Sequence, residues 1–264
     1  MRCDPAAPFT SITPITELDV AGAYDSTFTP RRNELSGYFY SDRSGNHELY
    51  YATRPDFATP WTFSQISSLA DPGIDKEPST SNDDVLLLWV SSRAPAAAPD
   101  DIFYATGGAG NWTLGGVVSD LSTAAGNELH PFFQNDTSDV WFGSNTSGVY
   151  SIYHSTWLGG SSFAPPTEIP ELDASGFTTD AAMVDPTGTV MYFRSNRPGG
   201  PGGLDIWLAT RPTTADAWVV SGAVTEVDSP QLDTPNWISP DLCRLYFSSS
   251  QTDASDLYIA TRTP

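Results

Sequence analysis

Acidic residues recur at one position of an internal repeat in this 264-residue sequence. When the five repeat units are aligned, four of them carry an acid immediately before the predicted innermost strand, namely Asp25, Asp75, Glu128 and Asp233. The fourth unit has Thr179 there, with Asp180 beside it. Carboxylates that lie close together raise one another's pKa or bind a cation. Each acid could instead accept hydrogen bonds from its own turn or from the neighbouring unit.

Residues that break the repeat are better candidates for catalysis, because catalysis needs asymmetry. Lys76 and Glu77 replace small residues, and His130 follows an acid by two positions. Trp237 lies on the predicted inner strand of the fifth unit. A carboxylate with an imidazole can act as an acid–base pair, and an indole ring can serve as a platform for a sugar. These residues could equally be inert irregularities of a channel.

The two sets together define the predicted site. The catalytic candidates are Glu128, Asp25 and Asp233. No cofactor is expected to be required, and Ca²⁺ in or near a central channel is the candidate ion, with Asp25, Asp75, Glu128 and Asp233 as its ligands. The predicted binding residues are Asp25, Asp75, Lys76, Glu77, Glu128, His130, Asp180, Asp233 and Trp237.

The repeat unit itself is about fifty residues long, as for propeller blades. Five segments carry the phrase Ala-Thr-Arg or a close variant of it, which is Ala-Thr-Gly in the second unit and Ser-Thr-Trp in the third. The threonines of this phrase are 53, 50, 54 and 51 residues apart. An aromatic-rich run precedes each phrase, and Gly, Pro, Asn, Asp and Ser bound both runs, which indicates short strands. Two further strands complete each unit. Four strands per unit are typical of a propeller blade.

The repeat therefore predicts one all-β domain over residues 1–264, a five-bladed β-propeller with four antiparallel strands per blade. The fifth unit ends without an outer strand, whereas residues 9–18 match the outer-strand pattern. If this N-terminal strand completes the C-terminal blade, the ring closes and an exposed sheet edge is removed. The predicted blades are residues 19–69, 70–121, 122–172, 173–227, and 228–264 with the closing strand 9–18.

Three phrases carry a family resemblance: residues 245–249 (Leu-Tyr-Phe-Ser-Ser), 195–200 (Ser-Asn-Arg-Pro-Gly-Gly) and 205–211 (Asp-Ile-Trp-Leu-Ala-Thr-Arg). They resemble the bacterial WD40-like repeat of the propeller domain of TolB, over essentially the whole chain. The resemblance implies the fold but not one function, because this family serves binding, scaffolding and, with added parts, catalysis. Five-bladed propellers of certain glycosidase families, with three carboxylates in a cavity, are similar to this layout in outline.

An arginine after the second strand accompanies an acid that opens the third strand. The pairs are Arg43 with Glu48, Arg93 with Asp101, and Arg197 with Asp205. Blade three has Thr146 and Ser151 instead and so lacks both, while blade five keeps Asp256 with neutral Gln251. Because the two residues appear and vanish together, we expect an ion pair inside each hairpin.

The two cysteines are predicted to meet on one rim of blade five. Cys3 precedes the closing strand, and Cys243 lies in the turn between the first and second strands of that blade. A disulfide there would indicate an oxidising compartment. Two free thiols, or a Cys3 that bears a lipid from a lipoprotein leader, are the alternatives. We expect an extracytoplasmic bacterial protein, whether periplasmic, cell-surface or secreted.

The formal net charge of −20 argues against several ligand classes. A surface this acidic repels phosphate backbones and anionic headgroups, so neither nucleic acid nor a membrane surface is an expected partner. No apolar run is long enough for a membrane-spanning helix. The three histidines show no metal-binding spacing, and no Gly-x-Ser-x-Gly turn is present. Residues 199–203 (Gly-Gly-Pro-Gly-Gly) are predicted to form a hairpin loop on the acid-lined rim rather than a phosphate loop.

The sequence favours a monomeric binding or scaffold module that holds a protein, a glycan or a cation at the acid-lined mouth of the channel. The alternative is a glycoside hydrolase or lyase that uses Glu128 with Asp25, Asp75 or Asp233. An open cavity with two carboxylates about 5–9.5 Å apart would favour hydrolysis, whereas a channel plugged by side chains would favour binding. A lectin with one sugar site per blade is disfavoured by the irregular loop lengths.

Overall fold

The computed structural model describes residues 2–93, 100–252 and 254–264, and these residues form five antiparallel sheets arranged as the blades of a propeller. Blade one contains β2 (Asp25–Pro30), β3 (Ser36–Ser41), β4 (Glu48–Thr53) and β5 (Thr62–Gln65). Blade two contains β6 (Asp75–Thr80), β7 (Leu86–Ser91), β8 (Asp101–Gly108) and β9 (Asn111–Val117). The all-β, five-bladed fold predicted from the repeat is confirmed.

In blade three the outer strand is divided into two short pieces. This blade contains β10 (Glu128–Phe133), β11 (Asp139–Ser144), β12 (Ser151–Gly159), β13 (Ser162–Phe163) and β14 (Thr167–Glu168). A single 3₁₀ turn, Pro170–Leu172, follows it. Blade four contains β15 (Thr179–Val184), β16 (Val190–Ser195), β17 (Asp205–Thr210) and β18 (Val219–Ala223). Among the described residues, no helix is long and apolar enough to cross a membrane.

Blade five is built from both ends of the sequence. It contains β19 (Asp233–Ile238), β20 (Arg244–Ser249), β21 (Asp256–Thr261) and, as its outer strand, β1 (Ser11–Pro14). The register of β1 on β21 places Ser11 opposite Thr261 and Pro14 opposite Tyr258. The predicted closure of the ring by the N-terminal strand is confirmed.

A disulfide joins Cys3 to Cys243, whose Cα atoms are 5.2 Å apart. The backbone N–H of Cys3 also donates to the carbonyl oxygen of Asp241 at 2.8 Å. Both sulfur-bearing residues are buried. The bridge therefore attaches the segment before β1 to the turn between β19 and β20.

The first strand of each blade lies at the axis of the propeller. These inner strands, β2, β6, β10, β15 and β19, each contact the inner strands of both neighbouring blades. All five are first in their sheets, so they run in the same direction along the axis. The second strands are buried on both faces because each is covered by two neighbouring blades, and their third residues fill the interblade core as Tyr38, Leu88, Trp141, Tyr192 and Tyr246.

The Ala-Thr-Arg phrase has a packing explanation in three blades. The guanidinium carbon of Arg54 lies 4.1 Å from the centroid of the Trp61 ring, that of Arg211 lies 4.2 Å from Trp218, and that of Arg262 lies 4.2 Å from Phe9. Each ring belongs to the residue that precedes the outer strand of the same blade. A guanidinium over an aromatic face is attracted by the ring quadrupole. The repeated arginine thus holds the outer strand against the third strand.

Candidate functional site

The four repeated acids are the first residues of their inner strands and are fully buried. Each carboxylate accepts a hydrogen bond from a nearby residue of its own blade or of the loop before it. Asp75 accepts from the Trp89 indole N–H at 2.8 Å, and Asp233 accepts from the Ser229 backbone N–H at 2.6 Å. Each of the four acids lies at the junction with the preceding blade, where its backbone N–H donates to a carbonyl oxygen of that blade, rather than on a solvent-facing ring. We call the end of the channel where they lie the acid mouth.

Arginine neutralises two of these acids. The Arg43 guanidinium contacts the Asp25 carboxylate at 2.5 Å, and the Arg93 guanidinium contacts Asp75 at 2.5 Å. Where the acid is replaced by Thr179, the Arg197 guanidinium donates to its hydroxyl at 3.0 Å. In all three blades the arginine Nε also donates to the last serine of the second strand.

The sequence prediction that these arginines pair with Glu48, Asp101 and Asp205 was therefore wrong in its choice of partner. The antiparallel register places Asp25 opposite Ser41 and Asp75 opposite Ser91. Since the serine fixes the arginine Nε, the guanidinium turns back toward the inner strand. There it also donates to the carbonyl oxygen of the residue that ends the preceding outer segment, as Arg93 does to Leu69 at 2.7 Å.

Glu128 has no arginine, because Thr146 occupies the corresponding position. Its carboxylate accepts from the Thr123 backbone N–H at 3.2 Å and from the Ser144 hydroxyl at 3.0 Å. Burial raises the pKa of Glu128 to about 7, and these hydrogen bonds only partly oppose the effect. Glu128 is thus a proton-holding carboxyl group enclosed between blades two and three.

The structure brings two of the irregular residues into contact inside the channel. The Glu77 carboxylate accepts from the His130 backbone N–H at 2.7 Å and lies 3.4 Å from its imidazole Nε2. Both residues are buried, and burial raises the pKa of Glu77 and holds the pKa of His130 well below its ordinary value. The pair connects blades two and three, and its enclosure separates it from solvent.

Two further ion pairs surround this contact. The Lys76 ammonium lies 3.3 Å from an Asp100 carboxylate oxygen. Arg194 makes two bonds to Asp180, at 2.7 and 2.8 Å, and a third to the Thr234 hydroxyl at 3.1 Å. Asp180, the predicted substitute for the missing fourth acid, is therefore committed to an ion pair across its own sheet. Side chains plug the channel at this level.

A bulge in every inner strand makes these contacts possible. The register with the second strand shifts near the third residue of each inner strand. In four of the blades that residue has a positive φ: Thr27, Glu77, His130 and Ala181. Non-glycine residues rarely adopt this conformation, and no glycine marks it in the sequence. The bulge was therefore missed at the sequence level, although it sets the positions of Glu77 and His130.

A cavity of about 340 Å³ lies at the opposite end of the channel from the acids. Its walls come from the last residues of β2, β6, β10 and β19 and from the turns that follow the first three of these strands. A six-residue strand is about 16 Å long, so this cavity mouth is well separated from the acid mouth. The lining residues are Thr29, Pro30, Arg31, Arg32, Asn33, Ser79, Thr80, Ser81, Asn82, Phe132, Phe133, Asn135 and Trp237.

The chemistry of the cavity mouth differs from that of the acid mouth. None of the described residues that line it is Asp or Glu. Arg31 contacts Asp84 at 2.6 Å outside the lining, and Arg32 contacts Asp136. The buried side chain of Asn135 has an amide nitrogen, Nδ2, without a hydrogen-bond partner among the described residues. The cavity thus offers amide and hydroxyl groups beside aromatic rings.

Of the predicted binding residues, Trp237 alone lines this cavity, where its ring packs 5.7 Å from that of Tyr246. The sequence contained a signal for three polar residues of the lining. Seven positions after the aligned acid, blades one to three carry Arg32, Asn82 and Asn135, whereas blades four and five carry prolines. This asymmetry was hidden because polar turn residues are expected between any two strands.

No family model and no curated protein matches the sequence. Solved structures do resemble the fold. An endo-arabinase from Bacteroides thetaiotaomicron has a TM-score of 0.63 and 14% identity, with 98% of each chain covered. An alpha-L-arabinofuranosidase from Podospora anserina in complex with cellotriose has a TM-score of 0.58 and 14% identity, with 93% of each chain covered. TolB from Acinetobacter baumannii has a TM-score of 0.56 and 14% identity, with 90% of this chain and 54% of TolB covered.

These similarities support the fold that the five sheets of this chain show. At such low sequence identities the similarities indicate the fold but not the activity, because proteins of one fold can have many different functions. The chain also spans only about half the length of TolB.

Proposed function

We propose that this propeller is an extracytoplasmic binding module that holds a glycan chain at the cavity mouth. The observation that carries the proposal is the buried Nδ2 of Asn135, a residue that lines the cavity of about 340 Å³; this nitrogen has no hydrogen-bond partner in the described part of the chain. An unsatisfied buried donor costs free energy, which a ligand hydroxyl or carbonyl would recover. Aromatic rings with a few convergent polar groups are typical of small-ligand sites.

The charge distribution supports the cavity mouth over the acid mouth. The acids that the sequence suggested as ligands are buried and already accept hydrogen bonds, so they offer little to a large ligand. The disulfide supports an oxidising compartment. Two of the similar structures are glycan-directed enzymes by name, one of them with cellotriose bound.

Binding is favoured over hydrolysis because the described lining of the cavity lacks the carboxylates that hydrolysis needs. Glycoside hydrolysis generally uses two carboxyl groups about 5–9.5 Å apart on either side of the scissile bond. The described lining of the cavity contains none. Glu128, the sequence candidate for a general acid, has a suitably raised pKa but is enclosed between blades.

The experiment is a glycan array on the purified chain, followed by titration calorimetry with the best oligosaccharide. The Asn135→Asp variant replaces a donor with an acceptor of the same shape and should weaken binding about tenfold or more. The control is Lys76→Met, which changes the acid mouth and should bind as the wild type does. If only the Lys76→Met variant lost binding, the binding site would lie at the acid mouth instead. Release of reducing sugar would show a hydrolase instead, and an array without any ligand would contradict the glycan assignment.

A further inference from the structure

The junction between blades four and five holds the carboxylates of Asp205, Asp228 and Asp233. Asp205 opens β17, Asp233 opens β19, and Asp228 lies in the segment that connects β18 to β19. One oxygen from each lies within 4.8 Å of the others. Two oxygens that each lie 2.3–2.6 Å from one Ca²⁺ can be no farther apart than about 5 Å, so the spacing suits a shared calcium ion.

Acid clusters are common at protein surfaces, but this one is enclosed and incompletely bonded. Asp205 and Asp233 are buried, and Asp228 is half-buried. Oδ1 of Asp233 and Oδ2 of Asp228 are buried atoms that find no hydrogen-bond partner among the residues that the structure describes. A buried carboxylate oxygen left in this state is unfavourable unless a cation or a donor reaches it.

Two main-chain oxygens lie close to one of these carboxylates, that of Asp205. A Cβ on Gly202 would lie 2.5 Å from the carbonyl oxygen of Gln231, 2.6 Å from that of Ser229 and 2.9 Å from Oδ1 of Asp205. Only glycine leaves room for these three oxygens to approach one another. Carboxylate and carbonyl oxygens together are the usual ligands of Ca²⁺.

The repeat supplies an internal comparison for the missing positive charge. Asp25 and Asp75 are each neutralised by an arginine whose backbone N–H donates to the last serine of the second strand, as Arg43 does to Ser41 at 3.1 Å. In blade five the same turn is made by Gln251, whose N–H donates to Ser249 at 3.3 Å. A neutral side chain therefore stands where a cation is found elsewhere.

Within the described chain, no Arg, Lys or His forms an ion pair with any of the three carboxylates. The junction thus collects three acids without a compensating group, in contrast to the junctions that contain Arg43 and Arg93.

We propose that Asp205, Asp228 and Asp233, with the carbonyl oxygens of Ser229 and Gln231, bind one calcium ion that replaces the missing arginine of blade five. The irregular mixture of carboxylates and carbonyls suits Ca²⁺, which accepts six to eight oxygens in flexible geometry, better than Mg²⁺, which requires an octahedron. The ion ties the loop after β18 to the start of β17 and so stabilises the junction. The site is at the acid mouth and does not depend on ligand binding at the cavity mouth.

The test is thermal unfolding of the full chain after treatment with EDTA, at constant ionic strength, with CaCl₂ or MgCl₂ added. Calcium at a hundredfold excess over its Kd should raise Tm by about 5–10 °C. Magnesium should raise it by much less. Titration calorimetry with CaCl₂ should give one site per chain.

Asp228→Asn is the diagnostic variant, because the amide oxygen can still accept the Ile206 N–H that Asp228 accepts at 2.8 Å. It should fold and lose the calcium response. Asp19→Asn is the matched control: Asp19 accepts the Leu257 N–H in the corresponding place at 3.0 Å, beside a junction that contains Arg43. It should respond to calcium as the wild type does.

Gln251→Arg supplies a second test that does not remove a ligand. It should raise Tm in EDTA and abolish the calcium shift, since the guanidinium would occupy the place of the ion. The proposal is overturned if the Asp228→Asn variant keeps the full shift, or if the wild type shows neither a shift nor heat of binding. Equal effects of calcium and magnesium would indicate screening of the net charge and would also overturn it.

Discussion

Removal of the Cys3–Cys243 disulfide should have a large and calculable effect on stability. The bridge spans 240 residues, so it closes almost the whole chain into one loop. In the chain-entropy description such a loop restricts the unfolded chain by about 18 cal/mol/K, which is about 5 kcal/mol at 25 °C. Native disulfides in practice contribute about 2–5 kcal/mol. We expect the Cys3→Ser/Cys243→Ser double variant to lose about 3–5 kcal/mol of unfolding free energy.

The loss should come from the unfolded chain, because the native contacts of this region do not need the bridge. The Cys3 backbone N–H still donates to Asp241, and the Arg262 guanidinium still donates to the carbonyl oxygens of Pro5 and Ala7 at 3.0 and 2.7 Å. The pairing of β1 with β21 is also independent of the sulfur atoms. The double variant should therefore fold to the same ring.

Urea unfolding followed by tryptophan fluorescence and circular dichroism measures the effect. The oxidised wild type should unfold at a higher urea concentration than the double variant, and the m value of the variant should be larger because its unfolded chain exposes more surface. Reductant should lower the midpoint of the wild type and leave the double variant unchanged. A loss below about 1 kcal/mol with an unchanged m value would refute the reasoning. So would a wild-type mass that does not increase by two hydrogens on reduction.

Three other substitutions test the electrostatics of the junctions. Arg93→Met leaves the buried Asp75 carboxylate without a cation and should lower the unfolding free energy by about 3–5 kcal/mol. Arg197→Met, beside neutral Thr179, should lower it by only about 1–2 kcal/mol. Urea unfolding of both variants measures the two losses, and equal losses would contradict the assigned ion pair. Glu128 has a pKa of about 7 in the folded chain against about 4.5 when unfolded, so the folded state keeps this proton longer and stability falls as pH rises between these values. The Glu128→Gln variant should match the wild type near pH 4 and exceed it by about 1–3 kcal/mol at pH 8, as a Tm series would show; an unchanged pH slope would exclude Glu128 as its source.

The number of blades, the closure of the ring and the placement of Cys3 and Cys243 on one rim of blade five could all be predicted from the amino-acid sequence. These follow from the spacing of the repeat, because each unit of about fifty residues must cover its apolar faces with its neighbours. The position of each acid at the start of an inner strand follows from the same alignment. The alignment also shows neutral Gln251 where other blades have arginine, but it does not show that the junction beside it then lacks a cation.

Which group each of these residues contacts, and at which end of the channel a cavity opens, depends on how the blades pack. Arg43 follows Asp25 and precedes Glu48 in the sequence, and either could be its partner. The register of Asp25 against Ser41 selects Asp25. Glu77 and His130 contact each other because bulges displace the inner strands. The bulge residues have a positive φ although they are not glycines, so the sequence gives no sign of the bulge. Spacing along the chain assigns a residue to a blade, whereas its partner depends on packing between blades that are distant in sequence.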